Sequence, residues 1–302
     1  MNMARRPMMI PLLVLCAGAL FVACGEDDDD DASPAAGGET SVAAAPTDPV
    51  TTEADTTETA TTDAPTTDAS TTDPAGNGDI EAACTAYTEI TFAFNAEPEG
   101  DPSEFLQNTV VPLIETLEAN PPAEVADSLG VMTSAAQQVV DSGGEDFSAF
   151  EDPAFAEAQS EVDPFMFENC TYDSTYEVSL VDYAFADMPS EIESGRVAIL
   201  ITNNGSDAHE LAVLSKAEGV TESWEELLEL PEEEAMTKAN FVGGAFAPAP
   251  GSQGMLVVDI EPGDYAAVCF VPTGTTIDDS GMTEGTGPPH FVQGMISEFT
   301  VT

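Results

Sequence analysis

The sequence predicts two folded parts, an all-α four-helix domain followed by an all-β sandwich. Three observations point there. Apolar residues recur at helical spacing through residues 77–170. Short β-rich runs separated by Pro/Gly turns fill residues 171–302. An acidic Thr/Pro/Asp stretch at 24–76 contains no aromatic residue. Helical periodicity and punctuated alternation are the two primary signals of secondary structure.

The first helix is expected over Asp79–Asn95, with Ile80, Ala83, Tyr87, Ile90 and Phe94 inward. Glu97-Pro98-Glu99-Gly100-Asp101-Pro102 breaks it, and Ser103 is the expected cap of a second helix carrying Phe105, Leu106, Val110, Leu113, Ile114 and Leu117. Pro112 is a kink candidate. Asn120-Pro121-Pro122 stops that helix. A third is expected from about Ala123 to Val140, ended by Ser142-Gly143-Gly144, and a fourth from Pro153 to Asn169, with Pro164 inside it. Short connections suit an antiparallel bundle. Residues 77–170 contain no His, Lys or Arg, so their carboxylates read as a solvated face rather than a catalytic pair.

The sandwich strands are expected at Tyr176–Tyr183, Arg196–Asn203, His209–Leu214, Gly254–Ile260, Tyr265–Phe270 and Met295–Val301. Asn204-Gly205 and Glu261-Pro262-Gly263-Asp264 are turn signals. Trp224-Glu225-Glu226-Leu227-Leu228 reads as a helical insertion, and Gly243-Gly244 and Gly251 read as turns without a nucleotide-binding context.

The chain opens with Met1-Asn2-Met3-Ala4-Arg5-Arg6 and a short apolar run, the pattern of a secretory signal over residues 1–23. Phe21-Val22-Ala23-Cys24-Gly25 resembles the lipobox of bacterial lipoproteins, with Phe21 where leucine is usual. That resemblance implies cleavage before Cys24, its lipidation, and anchoring to the membrane on the extracytoplasmic side; without acylation the chain would be secreted. Residues 24–76 are expected to remain disordered, having little apolar surface to offset the entropy of ordering.

Five Lys+Arg against 57 Asp+Glu give a net charge of −52, which excludes nucleic-acid binding through a basic face. Cys84 and Cys170 bracket the helical domain and are natural disulfide partners in an exported chain. Cys269 then needs its own explanation, either as a metal ligand or as a buried thiol acting as a small hydrophobe. The chain has two histidines, His209 and His290, and both share the β-rich part with Cys269 and Met295. Imidazole, thiolate and a weak axial thioether form one set of candidate ligands for a type 1 copper site.

These residues also carry a family resemblance. Asn203-Asn204-Gly205 before His209, Pro262-Gly263-Asp264-Tyr265 before Cys269, and Pro289-His290 followed by Gly294-Met295 resemble the cupredoxins, over roughly Cys170–Thr302. The resemblance implies a Greek-key cupredoxin-like sandwich with copper held by His209, Cys269, His290 and Met295. It also implies one-electron transfer with a redox partner protein, and no enzymatic activity. His290 and Met295 have four residues between them, as that family's ligand loop does, but twenty residues, Phe270 to Pro289, separate Cys269 from His290 where small blue copper proteins have only a few. A long excursion can return to its starting point because closure entropy grows slowly with length. The alternative is a metal-free cupredoxin-like surface module that binds protein or glycan, with His290 a loop residue and Met295 a core side chain.

Overall fold

The computed structural model describes residues 79–95, 100–278 and 281–302. The expected signal, Cys24 and the acidic stretch lie outside the described residues.

Among the described residues, four α-helices come first. Helix α1 (Ile80–Asn95) starts where the Asp79 carboxylate accepts the N–H groups of Glu81 and Ala82. Helix α2 (Pro102–Ala119) is capped by Asp101 rather than the expected Ser103. Pro102 has no N–H to satisfy and fits the first helical position, which moves the cap one residue before it. The helix runs through Pro112. Helix α3 (Ala126–Asp141) begins about three residues later than expected, because Val125 N–H closes a turn back to the Pro122 carbonyl. Helix α4 (Pro153–Asn169), capped by Asp152, continues through Pro164. Ile80, expected inside, is 40 % exposed. A Cys84–Cys170 disulfide ties α1 to the end of α4.

Among the described residues, eleven strands follow. The first sheet has the order β2-β1-β4-β7: Ala184–Ala186, Ser174–Val181, Gly195–Asn203 and Gln253–Ile260. The second has the order β3-β11-β8-β5-β6: Glu191–Ile192, Ile296–Val301, Gly263–Val268, His209–Lys216 and Ala239–Ala247. A hairpin of β9 (Thr276–Asp278) and β10 (Gly281–Thr283) stands apart. Neighbours are mostly non-consecutive, and two pairs, β1/β4 and β3/β11, are parallel.

The sheets face each other across a core that includes Val197, Ile199, Ile201, Leu211, Val213 and Leu256. The alternate residues of β4 and β7, Ala198, Leu200, Met255 and Val257, point the other way, into a second cluster with Ala83, Tyr87, Leu129, Val162 and Met166 of the helices. The first sheet is thus covered on both faces, which is why residues 197–201 form an unbroken apolar run instead of an alternating one. Each Val, Leu, Ile or Met side chain so taken from water contributes about 1.5–3 kcal/mol. On the far side of the second sheet, α5 (Trp224–Leu228) lays Trp224 and Leu227 over Leu214, Ala266 and Val268. Its start is a capping box between Ser223 and Glu226. A short α6 (Glu232–Ala235) follows.

Strand β7 is an edge, and α4 takes up two of its outward N–H groups. The Ser160 hydroxyl accepts from Gln253 N–H at 3.1 Å and Asp163 accepts from Met255 N–H at 2.7 Å, so α4 supplies the hydrogen bonds a further strand would have made. This docking explains how α4 persists despite Pro164: its buried residues Ala158, Val162, Asp163 and Met166 sit against the sheet. Gly243 and Gly244 lie inside β6, not in a turn. A Cβ on Gly243 would meet Leu256 Cδ1 at 2.9 Å, so a larger residue there would displace the Leu256 side chain where the two sheets approach closely.

Candidate metal centre

Strands β5, β8 and β11 are consecutive neighbours in the second sheet, with Ala212 opposite Val268 and Val268 opposite Ile296. His209 is the first residue of β5, Cys269 immediately follows β8, and Met295 immediately precedes β11. Because β8 is antiparallel to both neighbours, these three positions fall at the same end of the sheet. His290 arrives by the 3₁₀ turn His290–Gln293, whose end is closed by Gly294 in the left-handed region at φ 107°.

The donor atoms converge. The Nδ1 atoms of His209 and His290 are 3.0 Å apart, and Cys269 Sγ is 3.4 Å from His290 Nδ1. One ligand atom from each of the three residues lies within 4.8 Å of the others. All three residues, and Met295, are 0 % exposed. Met295 belongs to the same core cluster as Cys269, and its carbonyl accepts Cys269 N–H at 3.2 Å.

The surroundings set the state of the rings. Asp182 Oδ1 sits 2.8 Å from His209 Nε2 and accepts its proton, which leaves the Nδ1 lone pair facing the cluster. Burial lowers the His209 pKa against the opposing pull of Asp182. Burial, joined by the neighbouring His209, pushes His290 down to about 4. Both rings are therefore neutral at neutral pH, the form that donates to a metal. Burial alone would raise Asp182, but the Ser206 hydroxyl and N–H, together with His209, hold it down to about 2. His290 Nε2 has no hydrogen bond among the described residues, with Asp207 Oδ2 at 3.5 Å, and the Tyr183 ring packs 4.6 Å from the imidazole.

The lead-in to His209 is tightly determined. The buried Asn203 amide donates to the carbonyls of Asp207 and Ala247 and accepts from Gly205 N–H. A Cβ on Gly205 would come within 2.5 Å of His209 Nε2, so the Asn-Gly turn also makes room for the ring.

The long excursion between Cys269 and His290 is pinched at its base. Pro272 bridges Pro289, Thr273 N–H reaches the Pro288 carbonyl, and His290 N–H reaches the Val271 carbonyl at 2.9 Å. The β9–β10 hairpin thus leaves and returns without separating the ligands. The loop also docks on the His209 lead-in, through Ala208 N–H to the Thr275 carbonyl and Gly274 N–H to Asp207.

Sequence reasoning did not reach Asp182, Asp207, Tyr183 or Glu210. Glu210 is buried, its N–H points at Cys269 Sγ at 3.5 Å, and its carboxylate accepts Phe270 N–H at 2.8 Å. Burial pushes its pKa up to about 7. Two neutral imidazoles and a sulfur, enclosed by apolar walls, fit a soft or borderline transition metal better than a hard, oxygen-seeking cation.

No family model matches the chain, and no curated protein matches it. Among solved structures it is similar to reduced auracyanin from Roseiflexus castenholzii, at 16 % identity over 44 % of this chain and 99 % of that one, with a TM-score of 0.30. Auracyanin A, a "blue" copper protein from Chloroflexus aurantiacus, is 17 % identical over 42 % of this chain and 98 % of its own, with a TM-score of 0.26. Rusticyanin from Thiobacillus ferrooxidans is 16 % identical over 47 % of this chain and 92 % of its own, also with a TM-score of 0.26.

Proposed function

We propose that this chain is an exported copper protein that passes single electrons to and from a partner protein. The observation that carries this reading is the buried meeting of two Nδ1 atoms with Cys269 Sγ, where Asp182 already holds the outer nitrogen of His209. His209, Cys269 and His290 would hold the ion, with Met295 as the weaker fourth donor. When bound, copper supplies a couple between its cuprous and cupric states. The protein's part is to exclude water and keep the ligands still. Full burial does the first; the Asn203 bonds, the pinched loop base and the β8–β11 pairing do the second.

Val292, 61 % exposed and two residues past His290, marks the face a partner would approach. In this reading residues 1–23 direct export, Cys24 carries the lipid, residues 24–76 act as a tether, and the helical part (77–170) and the sandwich (171–302) form the folded body.

The test is an absorption spectrum on adding Cu(II). The parent chain is expected to give an intense visible thiolate-to-copper band that Cys269→Ser lacks. A parent chain with no such band would instead be a metal-free surface module, and the search would turn to protein or glycan partners. Asp182→Ala is expected to weaken copper binding by about 10–100-fold while retaining the band, because it frees the His209 ring without removing a ligand. Competition titration against a chelator of known affinity checks this; equal affinities would show that Asp182 does not orient the ring.

A further inference from the structure

The Nδ1 atoms of His209 and His290 face each other at 3.0 Å, the separation of an N–H···N hydrogen bond. Two lone pairs at that distance repel, and so do two N–H groups, so one ring donates and the other accepts. Asp182 decides which. It holds the His209 proton on Nε2 at 2.8 Å, so His209 Nδ1 is the acceptor and His290 Nδ1 carries the N–H. A neutral imidazole has one N–H, so His290 Nε2 is then a bare lone pair. This accounts for the outer side of that ring. Nε2 is buried with no hydrogen bond among the described residues, and it faces a carboxylate oxygen, Asp207 Oδ2 at 3.5 Å, which is itself an acceptor.

Asp207 is held in that place from several sides. Its carbonyl accepts the Asn203 amide at 2.8 Å, and its Oδ2 accepts Gly274 N–H at 2.9 Å, from the long loop between Cys269 and His290. The turn Pro272–Thr275 presents this N–H. It is closed by Thr275 N–H on the Pro272 carbonyl at 3.1 Å, with Gly274 in the left-handed region at φ 87°. The Tyr183 hydroxyl donates to the same oxygen at 3.4 Å while its ring packs on the imidazole. The carboxylate is thus fixed and aimed at Nε2, yet with the ring proton on Nδ1 it has nothing to accept there. A buried polar atom left without a partner is costly and calls for a reason.

We infer that Asp207 is the positioning residue for His290, and that it accepts a proton which the ring carries on Nε2 only when a metal is held. The inference rests on the copper reading above. Holding an ion takes both Nδ1 lone pairs, so the N–H of His290 Nδ1 must leave. The ring gives up that proton and gains one at Nε2, its charge unchanged, and Nε2–H then donates to Asp207 Oδ2. The Cys269 thiol proton leaves to solvent. An ordinary N–H···O contact is about 2.9 Å, so Nε2 and Oδ2 close by roughly half an ångström. Asp182 and Asp207 then hold the outer nitrogens of both rings. The long excursion between Cys269 and His290 thereby has a task at the site, since its Gly274 N–H fastens the carboxylate that locks the second imidazole.

The test is nitrogen NMR at neutral pH of the full chain with its two histidines isotopically labelled, before and after adding an equivalent of Cu(I), which is diamagnetic. Before addition, one ring is expected to be protonated at Nδ1 and the other at Nε2. After addition, both are expected to be protonated at Nε2. Asp207→Ala should leave the first pattern unchanged, since Asp182 and His209 set it, and should weaken Cu(I) binding by about 10–100-fold in competition with a chelator. Asp207→Asn keeps an oxygen that Gly274 N–H and Nε2–H can share, and should recover most of that loss, a rescue that a packing defect would not show. Two rings protonated at Nε2 in the parent before addition, or parent-like Cu(I) affinity in Asp207→Ala, would overturn the inference and leave the copper reading standing. A parent spectrum that Cu(I) does not change would overturn both.

Discussion

Replacing Cys84 and Cys170 together with serine is expected to lower stability by about 4 kcal/mol, and the melting temperature by roughly 10 °C. The bridge spans 86 residues. Its main effect is on the unfolded chain, which loses freedom when so long a loop is closed. Its position favours a full effect in the folded state too. Cys84 lies in the first turns of α1 and Cys170 is the residue that ends α4, so the bond fastens the first helix to the last without crossing the sandwich. Calorimetry of the parent, the double-serine variant and the reduced parent measures this. A variant melting within about 2 °C of the parent would mean that the docking of α4 on β7, through Ser160 and Asp163, already holds the layer in place. Metal binding by the variant should match the parent, since none of the four candidate ligands takes part in the bridge.

The elements that were legible in the sequence are those whose pattern is local. Helix α4 shows its apolar face despite Pro164, Trp224-Glu225-Glu226-Leu227-Leu228 shows its insertion, and the two histidines stand out because the chain has no others. What stayed hidden depends on distant segments. Gly243-Gly244 looks like a turn until Leu256 and Val258 are seen pressing on that part of β6. Ser103 looks like a cap, whereas Asp101 is placed better by Pro102. Asp182 is an ordinary polar residue beyond the end of β1, and only the return of the chain brings His209 to it from 27 residues away. The docking of the helices on the first sheet did leave a trace. Residues 197–201 are apolar on both faces, which a sandwich strand exposed on one side does not need.

Acidification from pH 8 to pH 5 is expected to stabilise the fold, contrary to the usual behaviour of carboxylates. Asp163 is one reason. Burial pushes its pKa from 3.8 up to about 6, even though Tyr87, Gln159 and Met255 N–H all donate to it. A carboxyl whose folded pKa lies above its unfolded one binds more protons in the folded state. Its contribution is fully present below about pH 4 and is lost as the pH rises through 6, a difference of about 3 kcal/mol. Glu210, pushed up to about 7 by burial, acts in the same direction. Relief of self-repulsion in a chain of charge −52 does so as well, so the pH profile of the parent alone cannot isolate Asp163. Asp163→Asn can. The amide has the shape of the protonated acid, and the Tyr87 hydroxyl and the Gln159 amide can each turn to accept from it. Unfolding free energies of the variant and parent should be close at pH 4, diverge between pH 4 and 6, and stay a constant amount apart above that, with the variant the more stable at pH 8. Parallel profiles would mean that the folded structure shelters the ionised Asp163 as well as water does. Below pH 4 both chains should weaken together, because Asp182, held down to about 2, loses its bonds to Ser206 and His209 as it gains a proton. The resulting optimum, near pH 4, is bounded by two carboxylates with opposite shifts: one fixes a candidate ligand and the other docks the helices on the sandwich.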